Sequence, residues 1–312
     1  MKSYINCLLV AAFVIGGCEM VVPEKSHYVA PAETQGKVVF VPTFDDGPID
    51  QKFVEEGVYP KDEQEMPASL HKTLATLKKH NATAVFYAVY IKPEKDAPEW
   101  SPKSSEEKMR AAFFHGIKAI IDDGHVVAIH ASNHDEYHNL FMSESAAKED
   151  IKLVIAELDR TGYAYFPTWR VPYGGMRTLM NEQNVARALT LPVITWRVDS
   201  NDWTTNHDST GMLKAIYKDD RKWADNVEKH LRQDIAISKI RTENQRDILF
   251  HISERTSSFL DEFLNVVTTD GKKVYGSKFT FLPIDASYKI AMLEHYLNSK
   301  PVTGDKNQVA KN

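Results

Sequence analysis

Residues Lys37–Asp50 read KVVFVPTFDDGPID. From Val38 to Phe44 the run is apolar, β-branched or aromatic, and does not alternate, which is the pattern of a strand covered on both faces. It gives way at Asp45 and Asp46 to Gly47-Pro48, a turn signal. Two adjacent carboxylates at a strand end repel each other, so the pair asks for a nearby cation or a division of roles. A solvated Asp-Asp-Gly-Pro turn explains the Gly and Pro equally well, and these residues alone do not separate the two readings.

Six more runs of the same kind follow: TAVFYAVYI (83–91), HVVAIH (125–130), YFPTWRV (165–171), PVITWRV (192–198), DILFHI (247–252) and KFTFLPI (278–284). Helical patterns lie between them at SLHKTLATLKKH, EEKMRAAFFHGIKAIIDD, SAAKEDIKLVIAELDRT, ADNVEKHLRQDIAISKI and SSFLDEFLNVV. Strand followed by helix, repeated, predicts a parallel α/β fold in one domain. Periodicity does not separate an open doubly wound sheet from a barrel. In both, ligands bind beyond the carboxyl ends of the strands. GVYPKDEQEM and KPEKDAPEWSPKSSEE read as irregular loop additions on that side.

The chain has 312 residues, 43% of them hydrophobic, enough for a full core. A net charge of -5 with scattered Lys and Arg gives no basic face for nucleic acid, and nothing marks an obligate protein partner. The start, MKSYINCLLVAAFVIGGC, has a Lys2 n-region and an apolar stretch too short to span a bilayer comfortably. It ends in Ile15-Gly16-Gly17-Cys18, similar to the lipobox of bacterial lipoproteins, which implies cleavage before Cys18 and its acylation. Cys7 would leave with the signal, so the mature chain could form no internal disulfide. The expected organisation is a signal over 1–17, a flexible tether over 18–36, one domain over 37–298 and a polar tail over 299–312.

Chemistry-bearing residues collect where the strand runs end. The first ends in Asp45-Asp46, HVVAIH in His130 with His134 and His138 at four-residue steps, and YFPTWRV carries Arg170 into Pro172-Tyr173-Gly174. PVITWRV runs into Asp199, Asp202 and Trp203, and DILFHI holds His251. Each alone is weak, since a lone His is more often a surface or core residue than a ligand. Together they put carboxylates, imidazoles, a guanidinium and an indole on one rim of one fold.

TFDDGP, H-x-x-x-H, R-x-P-Y-G, D-x-x-D-W and I-L-x-H, in this order, resemble the five motifs of the NodB-homology polysaccharide deacetylases, carbohydrate esterase family four, over roughly Lys37 to Ile284. The resemblance implies a distorted parallel (β/α) barrel of seven or eight strands. It implies Asp46, His130 and His134 as ligands of a divalent metal, zinc first, with Co2+, Ni2+ or Mn2+ as substitutes. Asp45 would be the general base, held by Arg170. His251 would be the acid that protonates the departing amine, its pKa raised by Asp202, with Asp199 second for that task. The backbone N–H of Tyr173 would receive the oxyanion, and Trp203 and Leu249 would wall the acetyl-methyl pocket.

Two departures stand out. Ala131 replaces the Ser or Thr that the family places after the first histidine, which removes a loop hydrogen bond. His134-x-x-x-His138 also fits the second motif, so the ligand pair could be slipped by four. The expected activity is N-deacetylation of N-acetylglucosamine units in a cell-envelope glycan, peptidoglycan above all. Chitin-like or poly-N-acetylglucosamine polymers, an O-acetyl ester, a catalytically silent glycan-binding lipoprotein and a periplasmic zinc buffer are the rivals. The expected place is the periplasm, tethered to the membrane by lipid. Glu19 is not the Asp that retains many enteric lipoproteins at the inner membrane, which points to the outer one.

Overall fold

The structure is a computed structural model that describes residues 36–49, 60–91, 105–132, 134, 137, 143–175, 179–205, 220–240 and 244–283. The expected signal, Cys18, all but the last residue of the expected tether, the expected polar tail, and residues 50–59 and 92–104, which hold parts of the expected loop additions, lie outside these residues.

Among the described residues the strands are β1 (Val38–Gly47), β2 (Val85–Val89), β3 (Val126–Ala131), β4 (Val198–Asp199), β5 (Gln245–His251) and β6 (Phe279–Phe281). They form one sheet in the order β3-β2-β1-β5-β4, with β6 beside β1. Every strand pairing is parallel, as the alternation of strand and helix demands.

Two irregular runs close this sheet on itself. Trp169 bridges Ile129 at the end of β3 on one side and Val193 on the other. The run through Val193 then reaches β5, where Arg197 N donates to Asp247 O at 2.9 Å and Val198 pairs with Ile248. Because residues 193–199 touch Trp169 at one end and β5 at the other, the path β5-β1-β2-β3-Trp169-Val193 returns to its start. β6 wedges in at the amino-terminal side, with Leu282 N donating to Phe40 O and Thr83 N donating to Leu282 O. All seven apolar runs of the sequence thus build an irregular parallel barrel. PVITWRV gives regular strand only at its last residue, Val198, which with Asp199 forms β4, because the run crosses from one neighbour to the other instead of lying along either.

The pleat divides the side chains. Val41, Val85, Tyr87, Val126, Ala128, Phe166 and Leu282 fill the barrel. Outward residues pack on the helices, and Phe44 stacks between Phe86 and Phe250 at centroid distances of 5.1 and 5.5 Å. The helices are α1 (Ala68–Lys79), α2 (Glu106–Asp122), α3 (Glu144–Thr161), α4 (Leu179–Leu189), α5 (Asp220–Ser238) and α6 (Glu254–Tyr275). Ser143 and Ser253 cap α3 and α6 by accepting from Ala146 N and Thr256 N. The sequence patterns above omit α4, whose central Asn181-Glu182-Gln183-Asn184 interrupts the apolar period. No helix among the described residues is long and apolar enough to cross a membrane.

Gly271 shows how closely α6 approaches the barrel. A Cβ there would lie 2.3 Å from the Phe279 ring on β6. Helix propensity alone predicts that Gly271→Ala stabilises by about 1 kcal/mol. Overpacking predicts a loss of about 1–3 kcal/mol, and we expect the loss, read from the denaturation midpoint.

Candidate active site

The strand alternation that fills the barrel also aims the reactive groups. Val41, Thr43 and Asp45 of β1 pair in register with Asp247, Leu249 and His251 of β5, so Asp45 and His251 sit side by side at the barrel mouth. A further extended residue would turn Asp46 away towards the helices. Instead Asp46 has φ +66°, in the left-handed region, which folds its carboxylate back to the face that Asp45 uses. Such backbone costs about 1–3 kcal/mol in a non-glycine residue, so the surroundings must hold it there.

What holds it is a pair of imidazoles. His134 Nε2 lies 3.3 Å and His130 Nε2 3.4 Å from Asp46 Oδ1. His130 is buried in β3, with its carbonyl accepting from Trp169 Nε1 at 3.0 Å and its Nδ1 2.6 Å from the Arg170 carbonyl. A carbonyl only accepts, so Nδ1 carries a hydrogen and Nε2 is the ring nitrogen turned to the mouth. Burial lowers the His130 pKa, but Asp45 and then Asp46 outweigh it and raise it. Nε2 of His130 and Oδ1 of Asp46 are buried atoms with no hydrogen-bond partner. A carboxylate oxygen and an imidazole nitrogen facing each other in this way ask for a cation between them, a proton or a metal ion.

The donor set fits a divalent metal. One ligand atom from each of Asp46, His130 and His134 lies within 4.8 Å of the others. Carboxylate plus two imidazoles is a borderline set suited to zinc and its neighbours, with positions left for water and substrate. The Nδ1–H bond of His130 to a carbonyl is the support that metal-bound histidines ordinarily have. Burial pushes the Asp46 carboxyl up, but His134 and then His130 outweigh it and hold it well below the usual range. His138, of the slipped pair, lies outside the described residues.

Behind the mouth, Arg170 is fully buried. Its Nη1 donates to Asp45 Oδ1 at 2.8 Å and to Thr43 Oγ1 at 2.6 Å, and the guanidinium lies 3.9 Å from the Tyr87 ring centroid. The other carboxylate oxygen of Asp45, Oδ2, is 3.7 Å from His130 Nε2. One oxygen of Asp45 is thus anchored, and the other faces the imidazoles.

Across the mouth, Asp202 Oδ1 lies 2.7 Å from His251 Nδ1. Asp202 Oδ2 accepts from His251 N and Thr256 Oγ1, each at 2.8 Å. Burial would lower the His251 pKa, yet Asp202, with lesser help from Asp46 and Asp45, raises it to about 10. Asp199 serves its own turn, accepting from Asn201 N at 2.7 Å and Trp196 Nε1 at 3.2 Å. Arg170 therefore pairs with Asp45, and Asp202 with His251.

Tyr173 sits in a turn at φ +58°, its ring 4.5 Å from that of His134. Tyr173 and Trp203 are about two-fifths exposed at the rim, whereas Leu249 is buried in register with Thr43. Thr43, Tyr87 and Thr256 hold the site residues but were absent from the sequence-derived set. Strand parity alone puts Thr43 on the face of Asp45, whereas nothing local marks Thr256 as a partner of Asp202.

A family model described as polysaccharide deacetylase matches residues 32–194. Peptidoglycan-N-acetylglucosamine deacetylase PgdA of Listeria monocytogenes is 31% identical over 176 residues, 56% of this chain and 28% of that protein. The chain thus spans well under half of this relative's length. Among solved structures, a family 4 carbohydrate esterase from Streptomyces lividans aligns at 19% identity and a TM-score of 0.48, covering 75% of this chain and 89% of that one. Peptidoglycan deacetylase PdaC from Bacillus subtilis aligns at 18% and 0.49, covering 83% and 93%.

The Asp202–His251 pair gives a direct test. In the metal-free protein the His251 ring should stay protonated through neutrality and titrate near pH 10, followed by NMR. In Asp202→Asn burial goes largely unopposed, so the titration should fall by several units. A raised folded-state pKa means this ion pair stabilises the fold fully below the unfolded histidine value of about 6.5 and loses that contribution as pH rises through 10.

Proposed function

This chain belongs to the polysaccharide deacetylase family, and we propose that it removes N-acetyl groups from N-acetylglucosamine units of a cell-envelope glycan, peptidoglycan first. The observation that carries the reading is the apposition of Asp46 Oδ1 and His130 Nε2, two buried atoms with no hydrogen-bond partner, beside the register pair Asp45 and His251. The PgdA likeness supports the choice of glycan. The lipobox-like Ile15–Cys18 supports a lipid-anchored form in the envelope, periplasmic and on the outer membrane.

Asp46, His130 and His134 would hold the ion, zinc first, and a divalent ion there polarises a carbonyl and brings the pKa of adjacent water towards 7. The chain's own groups divide the rest. Asp45 takes the proton of the attacking water at Oδ2, because Oδ1 is committed to Arg170. Arg170 fixes that carboxylate by a charge-assisted bond, and Thr43 fixes Arg170. His251, protonated at neutral pH, donates from Nε2 to the departing amine, since Nδ1 is held by Asp202. The Tyr173 backbone N–H would donate to the oxyanion. Trp203, partly exposed, and Leu249, buried, would enclose the acetyl methyl.

Acetate released from N-acetylchitooligosaccharides and from peptidoglycan, with and without a chelator, tests the reading. Wild type should release acetate and lose the activity on chelation, and Asp45→Asn should lower kcat by about 10²–10⁴-fold. Acetate release that ignores both chelator and substitution contradicts these roles for the metal site and Asp45. Tight saccharide binding with no acetate makes the protein a glycan-binding module instead.

A further inference from the structure

The neighbours of His134 in the chain are tied to one carboxylate that the chemistry above does not use. Asp150, buried at 8% exposure, lies on the inward stripe of α3 with Ala147, Ile151, Val154 and Leu158. Its Oδ2 accepts from Ser132 N at 3.0 Å and from Tyr137 OH at 2.9 Å, and its Oδ1 accepts from Ser132 Oγ. Ser132 stands two residues before His134 and Tyr137 three residues after it. Both flanks of the second imidazole are thereby fastened to a single group.

That group has little freedom of its own. α3 is fixed by its apolar stripe and by buried Glu157, which receives three hydrogen bonds from Arg110 of α2 at 2.9–3.0 Å. The Tyr137 ring packs 6.3 Å from Trp169, whose Nε1 holds the His130 carbonyl. The supports of the two histidines therefore meet at Tyr137 and Trp169.

A carboxylate is costly to bury, and it is tolerated here because three donors converge on it. A neutral Asn has one oxygen and an NH2 group, and it could not accept at both positions.

We propose that Asp150 is a positioning residue for the metal centre. Through Ser132 and Tyr137 it holds the His134 imidazole at the distance from Asp46 and His130 that a divalent ion requires. The inference rests on the metal-site reading above and assigns Asp150 no contact with substrate or ion. Supporting groups of this kind ordinarily change metal affinity by about 10–100-fold when removed.

The test is zinc affinity by competition with a chromophoric chelator, with the visible spectrum of the Co2+ form and the melting temperature of the metal-free form recorded alongside. Asp150→Asn is the main variant. Ser132→Ala with Tyr137→Phe is the second, which keeps the carboxylate if Asp150→Asn fails to fold, and His134→Ala is the reference. Asp150→Asn, or the double variant in its place, should weaken zinc binding tenfold or more and alter the Co2+ bands. A lowered melting temperature with zinc affinity changed by less than tenfold and an unchanged Co2+ spectrum overturns the proposal and leaves Asp150 a structural staple. If His134→Ala itself leaves zinc affinity intact, the metal-site reading has failed, an outcome distinct from failure of the Asp150 proposal alone.

Discussion

The left-handed turn of the backbone at Asp46 is the constraint on which the site depends. Parallel strands deliver side chains to alternate faces, so two neighbouring residues cannot both look into the barrel while the chain stays extended. The kink at φ +66° breaks that rule once, at the last polar step before Gly47. It brings a second carboxylate to the mouth without disturbing Asp45, which still pairs in register with His251. The strain of the turn and the repulsion of the two acids become tolerable only with positive charge or donors close by. His134 and His130 at 3.3 and 3.4 Å supply part of that, and their geometry leaves a place for a cation.

The same interior explains why the two aspartates differ. Asp45 is buried against Arg170, a guanidinium with no route to solvent, and the pair is credible because Thr43 and Tyr87 surround it. Removing either partner would strand a buried charge, at a cost of about 3–5 kcal/mol. Asp46 has only Oδ1 in the interior, and the rest of its carboxyl reaches the mouth. One acid is thus locked by the core with a single oxygen turned to the imidazoles, while the other sets its carboxylate between two of them.

Much of this was legible in the sequence, for identifiable reasons. Continuous apolar runs such as KVVFV announce buried parallel strands, and the barrel uses all seven of them. Clustering of His, Asp and Arg at their ends located the rim before any geometry was known. Closure of the barrel was not legible from pattern, because it rests on Trp169 and Val193 bridging outside regular strands. Nor was the support of the site. Thr256 and Asp150 meet Asp202 and Ser132 only through folding, and Asp150 reads as one more charge on an amphipathic helix until its burial is known. The α4 helix escaped because polar residues fill its centre.

The central claim is that Asp46, His130 and His134 together grip one divalent ion. X-ray absorption at the zinc edge of the reconstituted protein reads the inner coordination sphere directly. The account predicts one zinc per chain with two imidazoles at about 2.0–2.1 Å and oxygen ligands at about 2.0–2.2 Å, the imidazole contribution falling to one in His134→Ala. A spectrum with a single imidazole in wild type, or one that His134→Ala leaves unchanged, would contradict it.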